Sequence, residues 1–406
     1  MTNNRLAGAD LIRALACIMV VGSHVAQRVA PTALPDWGKT VQAAWMMGAY
    51  GVGAFFVLSG YLLARPFWSA LDAGQPMPSL RIYALRRAAR ILPGYYLALT
   101  VSFVLSFTLL RFPFDPSLLV RYGAGLLLLA DVHWLTWFPV EFNGPLWSIG
   151  CEVTSYALLP VGLGLVFALP MLRGWSARIA WLALVGAVVG LQILVVQHLQ
   201  PDSFQRSWEF GLVGGAKVWM PNFSPVGFFA VFALGALGAG IQVRLARLRS
   251  LWFDLLALAG LAVAVGAMAA RFPDVDGFGI ANIPYAYPWF PLGVGVMLCT
   301  IPSAVLLPRL TETAPIAFLA RISFGIYVWH FLLMESVRVL WVPNFGYWGM
   351  TSVSLWAVVS AAVVVAAIVV ATLSYYRLEA PVLGWARRLE RRPDGPAATF
   401  SPATTG

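Results

Sequence analysis

Charged residues are what this sequence lacks most. Only 11% of its 406 residues are charged, 60% are hydrophobic, and the mean hydropathy is +0.78. Because a soluble domain carries about 25% charged residues, this composition excludes a soluble globular protein. It predicts an all-α, polytopic membrane protein that has the lipid bilayer as a partner. The net charge of +10 would suggest nucleic acid as a partner of a soluble protein. Here it is divided between two sides of a membrane, and we predict no nucleic-acid binding.

Cysteine and histidine are also scarce. The cysteines lie in apolar stretches and have neither the number nor the spacing of a disulfide framework or a metal motif: Cys17, Cys151 and Cys299. No metal site is predicted. Few side chains could serve as a base near neutral pH, because the chain has only four histidines: His24, His133, His198 and His330.

Long apolar runs are abundant. A spanning helix needs about 20 mostly apolar residues, and ten windows qualify: 7–27, 41–64, 91–111, 146–169, 178–198, 224–242, 251–270, 288–307, 317–341 and 350–373. An eleventh run, 118–138, is ambiguous because it contains Asp131 and His133 and leads into a stretch interrupted by proline and glycine.

The distribution of basic residues decides whether the eleventh run crosses the membrane. If it does not cross, both chain ends face the cytoplasm, and 18 basic residues lie on the inner side against eight in the outer loops. The positive-inside rule favours this arrangement. We therefore predict about ten transmembrane helices, with 113–145 as a re-entrant or interfacial outer segment. Residues 1–392 are expected to form the transmembrane domain, and 393–406 a disordered cytoplasmic tail.

Ionisable groups inside spans are candidates for function, and the first helix carries three of them. Arg13 and His24 are 11 residues apart, which places them on one stripe of the helix and about 16 Å apart along its axis. Asp10 and Cys17 fall on the same stripe. The pattern predicts an acid–cation pair at one end of a polar track and a proton-accepting histidine at the other. A purely structural ion pair would explain Asp10 and Arg13 equally well.

Further candidates lie near other span ends. Arg86, Arg87 and Arg90 precede the third predicted span, and clustered guanidiniums bind phosphates bidentately. Ordinary anchoring on the cytoplasmic side would explain the same charges. Glu152 is expected at the outer end of the fourth helix, where an acid is favourable in any case. His330, which has Glu335 and Arg338 nearby, could belong to a structural polar network.

Six of these segments together resemble the acyltransferase-3 family of bacterial membrane O-acyltransferases. They occur in family order: GADLIRALA at 8–16 with the Arg13-x10-His24 spacing, GVGAFFVLSGY at 51–61, RAARILP at 87–93, LWSIGCE at 146–152, SFGIYVWH at 323–330 and LEAP at 378–381. Two features depart from the family pattern. Cys151 precedes Glu152 where many members have a second glutamate, and no SGNH-type domain is expected after the last span.

The resemblance implies transfer of an acyl group, commonly acetyl, from acyl-CoA to a hydroxyl of a sugar or of a glycosylated small molecule in the bacterial inner membrane. A hydroxyl needs a positioned base, and we predict that His24 is this base. Arg13, held by Asp10, is expected to orient the donor or to stabilise charge at the thioester carbonyl. Glu152 is the fourth predicted catalytic residue. The remaining candidates divide between acyl-CoA binding (Arg86, Arg87, Arg90, Ser59 and Tyr61) and acceptor binding (Trp147, Ser148 and His330).

Other interpretations stay open at this level. A proton-coupled transporter or flippase could also use a polar track along one helix, although the sequence shows no paired repeat. The enzyme could instead act on a cytoplasmic natural product, and Cys17 or Ser59 could carry the acyl group covalently. The sequence does not determine the acceptor, the length of the acyl chain or whether the chain forms a homo-oligomer.

Overall fold

Helices make up all the regular structure in the described part of the chain. The computed structural model describes residues 6–109, 111–275 and 288–390. Within these ranges the helices are α1 (Ala9–Ala26), α2 (Asp36–Met46), α3 (Tyr50–Asp72), α4 (Leu80–Thr108), α5 (Pro116–Leu126), α6 (Trp147–Ala168), α7 (Gly174–His198), α8 (Gly211–Trp219), α9 (Pro225–Leu245), α10 (Leu251–Ala270), α11 (Trp289–Thr300), α12 (Leu307–Thr311), α13 (Ala314–Leu340), α14 (Val353–Ser374) and α15 (Ala380–Glu390).

The predicted all-α polytopic membrane fold is confirmed. Nine helical segments of the described residues are long and apolar enough to cross a membrane: Ala9–Ala26, Asp36–Asp72, Leu80–Thr108, Gly144–Ala168, Gly174–His198, Pro225–Leu245, Leu251–Asp274, Ala314–Leu340 and Val353–Glu390. The tenth predicted span, 288–307, corresponds to a shorter apolar segment, Trp289–Ser303.

The third span begins about three turns earlier than predicted. α4 starts at Leu80, where the Ser79 side chain caps it by accepting a hydrogen bond from the Ile82 amide at 3.4 Å. A search for apolar windows misses these first turns because they are basic. The arginines at 86, 87 and 90 therefore lie on the helix itself. Arg87 and Arg90 line the polar site described below, whereas Arg86 does not.

Two glycines allow the central helices α3 and α9 to approach closely. A Cβ placed on Gly60 would lie 1.9 Å from the Phe232 carbonyl oxygen, and one on Gly235 would lie 1.9 Å from the Val57 carbonyl oxygen. Helices in a membrane associate largely by such close packing of small residues. Gly60 is thus the reason why the FFVLSGY segment can pack against α9, and the adjacent Ser59 is directed towards the polar site described below.

Segment 113–145, predicted to be a re-entrant or interfacial outer segment, contains no helix long enough to cross a membrane. Its helix α5 has 11 residues and is about 16 Å long, roughly half of the hydrocarbon thickness. The rest of the segment is irregular and folds into the bundle. Arg121 is buried, pairs with Glu141 and donates to the Phe138 carbonyl at 2.7 Å. Asn143 is fully buried and donates to the Val328 carbonyl of α13 at 2.7 Å. α6 consequently begins inside the protein.

Some charged side chains that the sequence assigned to outer loops form ion pairs in the structure, and Lys217 is one that is also buried. Lys217 donates to Asp202 at 2.6 Å and lies 4.3 Å from the centre of the Trp134 ring. The hydrogen bond from Lys217 lowers the pKa of Asp202 below its usual value. These contacts fasten the 199–224 loop to the outer segment. The predicted disordered tail 393–406 lies outside the described residues, as do Arg5, Asp276, Arg391 and Arg392.

Candidate active site

Two cavities that contain ionisable side chains lie along α1. We call the first the basic cavity; it measures about 100 Å³ and is lined by Arg13, Ser59, Arg87, Arg90, Ser148, Glu152, Tyr156 and Tyr327, among others. We call the second the histidine cavity; it measures about 450 Å³ and is lined by His24, Arg28, Trp147, Trp208, Trp219, Tyr327 and Glu335, among others. α1 thus contributes Arg13 to one cavity and His24 to the other.

The ion pair predicted in the first helix is loose. Asp10 lies in the first turn of α1, and one of its carboxylate oxygens is 3.9 Å from Arg13 Nη1. Asp10 lies outside the basic cavity that Arg13 lines. Cys17, which was predicted to share their stripe, instead faces an almost entirely apolar crevice between α1, α2, α13 and α14. The polar track therefore consists of Arg13 and His24 without the cysteine.

Glu152 lines the basic cavity. It accepts hydrogen bonds from Ser59 Oγ at 3.1 Å and from the Tyr156 hydroxyl. Glu152 was expected near the outer face, yet it lies in the second turn of α6 and shares this cavity with Arg87 and Arg90, which were expected on the inner side. A carboxylate thus stands among the guanidiniums of Arg13, Arg87 and Arg90, which also line this cavity.

The three arginines of α4 differ in their partners. Arg86 forms two hydrogen bonds of 2.8 Å with Glu390 of α15, is more than half exposed and does not line the basic cavity. Arg90 lines the cavity and lies 3.4 Å from Glu379, the glutamate of the LEAP segment, which sits in a single π-helical turn. Arg87 also lines the cavity, and its Nε is buried without a hydrogen-bond partner among the described residues. Arg87 is thus the arginine most available to a ligand.

His24, which lines the histidine cavity, contacts a second predicted residue that is distant in the sequence. His24 Nδ1 lies 2.9 Å from His330 Nε2. His330 is fully buried, whereas His24 is half-buried and faces the cavity. The edge of the Phe331 ring packs against His24, with the ring centres 5.2 Å apart. His24 is therefore held on two sides and open on the side of the cavity.

Aromatic rings form much of the wall of the histidine cavity. Trp147 lies edge-to-face against Trp219 at 5.3 Å, and Trp208 meets Trp219 at 5.5 Å with nearly perpendicular planes. Charged groups line the same cavity, among them Glu141, Glu335 and Arg338. Apolar walls with a few placed polar groups, enclosing this volume, are typical of small-molecule sites.

Val52 and Tyr327 line both cavities and mark their boundary. The Tyr327 hydroxyl donates to the Pro145 carbonyl at 2.9 Å and lies 2.6 Å from Ser148 Oγ. The predicted residue Ser148 is thus at the boundary, while Trp147 belongs to the histidine cavity. Tyr61, predicted to bind the cofactor, is fully buried in the core and lines neither cavity.

Sequence reasoning missed three residues of the site. Tyr156 follows Glu152 by four residues, a spacing that places both on one helix face. Tyr327 lies within the SFGIYVWH segment and was not singled out. Arg28 was counted as a loop charge, yet it is fully buried, pairs with Glu335 at 2.8 Å and lies 4.8 Å from the centre of the Tyr347 ring. Because Arg28 follows His24 by four residues, helix periodicity could have indicated that the two side chains lie on one face.

Comparison with known proteins decides the family. The model of the acyltransferase-3 family, described as an acyltransferase domain, matches residues 6–375. The chain belongs to this family. It is therefore a membrane acyltransferase, as the order of the six segments indicated.

The named relatives that match the chain are distant in sequence. The acyltransferase MdmB of Streptomyces mycarofaciens is 25% identical over 418 residues, which cover 99% of this chain and 98% of the relative. The O-acetyltransferase OatA of Staphylococcus aureus (strain NCTC 8325 / PS 47) is 23% identical over 352 residues, covering 84% of this chain and 52% of OatA. A putative peptidoglycan O-acetyltransferase of Bacillus subtilis (strain 168), YrhL, is 25% identical over 405 residues, which cover 93% of this chain and 55% of YrhL. No solved structure matches the chain.

Proposed function

We propose that this acyltransferase moves an acyl group, with acetyl-CoA as the donor, to a hydroxyl of a sugar-containing acceptor, and that His24 is the general base. The observation that carries the proposal is the arrangement of the two cavities. A cavity lined by arginines and a cavity lined by a histidine and tryptophans meet at Val52 and Tyr327. Donor and acceptor can therefore reach one boundary from opposite ends of the bundle.

The donor end is the basic cavity. Arg87 and Arg90 offer guanidiniums to the phosphates of acyl-CoA, with which arginine forms bidentate hydrogen bonds. The cavity, at about 100 Å³, is smaller than the range of about 300–1,000 Å³ for sites that hold a whole small molecule. The nucleotide would thus lie at its mouth, and the narrow pantetheine arm would enter. The 18-to-eight distribution of basic residues supports placing this end in the cytoplasm, where acyl-CoA occurs.

The acceptor end is the histidine cavity, whose volume of about 450 Å³ falls within that range. The tryptophans offer flat apolar faces to a sugar ring, and Glu141, Glu335 and Arg338 offer hydrogen-bonding groups to its hydroxyls. In the orientation given above this cavity opens towards the outer side of the membrane, so the acceptor would enter from outside. The names of OatA and YrhL are those of O-acetyltransferases, which agrees with a hydroxyl acceptor for this chain.

The chemistry is a direct transfer. His24 removes the proton of the acceptor hydroxyl while the oxygen attacks the thioester carbonyl; the new C–O bond forms and the C–S bond breaks. The proton passes from His24 to the departing thiolate, which leaves as CoA with a free thiol. Arg13 lines the basic cavity and His24 the histidine cavity, so of the two predicted roles of Arg13 we propose the orientation of the donor. Arg13 and Glu152 thus hold the donor arm.

Replacement of His24 tests the proposal. Purified His24→Ala protein in lipid nanodiscs, supplied with acetyl-CoA and a panel of glycosides, should lose about 10²- to 10⁴-fold in kcat, as measured by mass spectrometry of the acetylated products. His198→Ala is the matched control, since His198 is exposed at the end of α7 and should leave kcat unchanged. Wild-type turnover by a folded His24→Ala variant would rule out His24 as the base.

A further inference from the structure

His330 is placed behind His24 in a way that fixes where its own proton lies. Its Nδ1 is 3.0 Å from the Ile326 carbonyl oxygen and 2.8 Å from the Tyr327 carbonyl oxygen. Carbonyl oxygens only accept hydrogen bonds, so Nδ1 must carry a hydrogen atom. These two carbonyls belong to the preceding turn of α13, the same helix as His330, so the ring is set by the helix geometry itself.

The proton on Nδ1 determines what His330 offers to its neighbour. His330 is fully buried, and an unpaired buried charge is costly, so the ring is neutral and carries one proton. Its Nε2 is consequently a hydrogen-bond acceptor. That atom lies 2.9 Å from Nδ1 of His24. For the contact to be a hydrogen bond, His24 has to be protonated on Nδ1.

We infer that His330 is a positioning residue that holds His24 in the Nδ1–H tautomer and thereby leaves Nε2 as the basic nitrogen. The inference rests on the proposed function for its kinetic consequence, although the tautomer itself can be measured independently. It replaces the prediction that His330 binds the acceptor, since a side chain with no exposed surface in this structure is not available to a ligand.

The surroundings of His24 reinforce this selection. The Phe331 ring, packed edge-on against His24, hinders rotation that would exchange the two ring nitrogens. When His24 takes a proton from the acceptor, its Nδ1–H keeps donating to His330, so the hydrogen bond persists through the reaction. A histidine partner can thus orient a catalytic base in the manner that a carboxylate does in hydrolytic triads.

Nitrogen NMR of protein labelled with ¹⁵N-histidine tests the tautomer directly. The chain has only four histidines, and spectra of His24→Gln and His330→Gln proteins would assign the two resonance pairs of interest. We expect neutral His24 with its hydrogen on Nδ1, and the same for His330. A His24 ring protonated on Nε2 in the wild-type protein would overturn the inference, whatever the activity of the variants.

Kinetics test the consequence with a graded pair of variants. His330→Phe removes the acceptor and should lower kcat by about 10²-fold or more, since a base in the wrong tautomer costs about 10⁴-fold in a hydrolytic triad. The KM values for acetyl-CoA and for the acceptor should stay within about twofold of wild type. His330→Gln, whose amide oxygen can accept from His24, should recover at least about tenfold of that loss.

The outcomes separate this inference from the proposed function. If His24→Ala keeps wild-type activity, the proposed function fails, while the NMR result still stands. If His24→Ala is inactive but His330→Phe keeps the wild-type kcat, or His330→Gln is no better than a folded His330→Phe, only the positioning role of His330 fails. Should His330→Phe not fold, the wild-type spectrum and the Gln variant decide the question.

Discussion

The unequal roles of neighbouring arginines on α4 give the sharpest prediction. Arg87 lines the basic cavity with a buried and unpartnered Nε, whereas Arg86 lies outside it and is tied to Glu390. If the cavity holds the donor, Arg87→Ala removes a charged hydrogen bond to acetyl-CoA and Arg86→Ala removes none. The two variants change the same residue type, one position apart, and lower the net charge equally.

The size of the effect follows from the kind of contact. A hydrogen bond to a charged group contributes about 1.5–3 kcal/mol, and 1.4 kcal/mol corresponds to a factor of ten. Arg87→Ala should therefore raise the KM for acetyl-CoA by about 10- to 150-fold. Arg86 pairs with Glu390 outside the cavity, so its replacement should leave that KM unchanged.

The assay is the initial rate of acetyl transfer in nanodiscs, with acetyl-CoA varied at a fixed acceptor concentration and then the reverse. Membrane topology, mapped by cysteine accessibility, serves as a control that neither variant inverts the protein. Equal increases of KM for the two variants would refute the division of roles and favour a general electrostatic effect of the basic end. An unchanged KM for acetyl-CoA in both variants would show that the donor does not bind in this cavity.

Two further predictions concern stability. Glu335→Gln leaves the fully buried Arg28 guanidinium without its carboxylate and should lower the free energy of unfolding by about 3–5 kcal/mol. Asp274→Asn breaks the exposed pair with Arg271 and should lower it by less than about 1 kcal/mol. Thermal unfolding in detergent measures both losses of stability, and equal losses would contradict the assignment. Gly60→Ala brings a Cβ against the Phe232 carbonyl and should sharply reduce the yield of folded protein. In Gly266→Ala the added Cβ meets nothing within 4 Å, so the yield of folded protein should not change. Size-exclusion chromatography measures both yields, and similar yields would show that α3 and α9 can separate without loss of folding.

Local patterns were sufficient for much of the architecture. A run of apolar residues has the same meaning wherever it occurs, because the bilayer imposes one thickness on every crossing helix. The spans, the segment 113–145 and the stripe that joins Arg13 to His24 all follow from such rules. Errors arose where a helix extends beyond its apolar part, as at Leu80, or where residues expected on opposite sides of the membrane share one cavity, as Glu152 and Arg87 do.

The sequence by itself therefore determined the membrane fold, the family and the candidates Arg13 and His24 on one helix. Only the tertiary structure decided which residues meet. His24 and His330 are 306 residues apart, and Glu152 reaches Ser59 across 93. The structure also separated Arg87 from Arg86 and moved Cys17 away from the polar track. Helix periodicity fixes the direction of a side chain relative to its own helix, but the partner it faces depends on how the helices pack, and that is a property of the whole bundle.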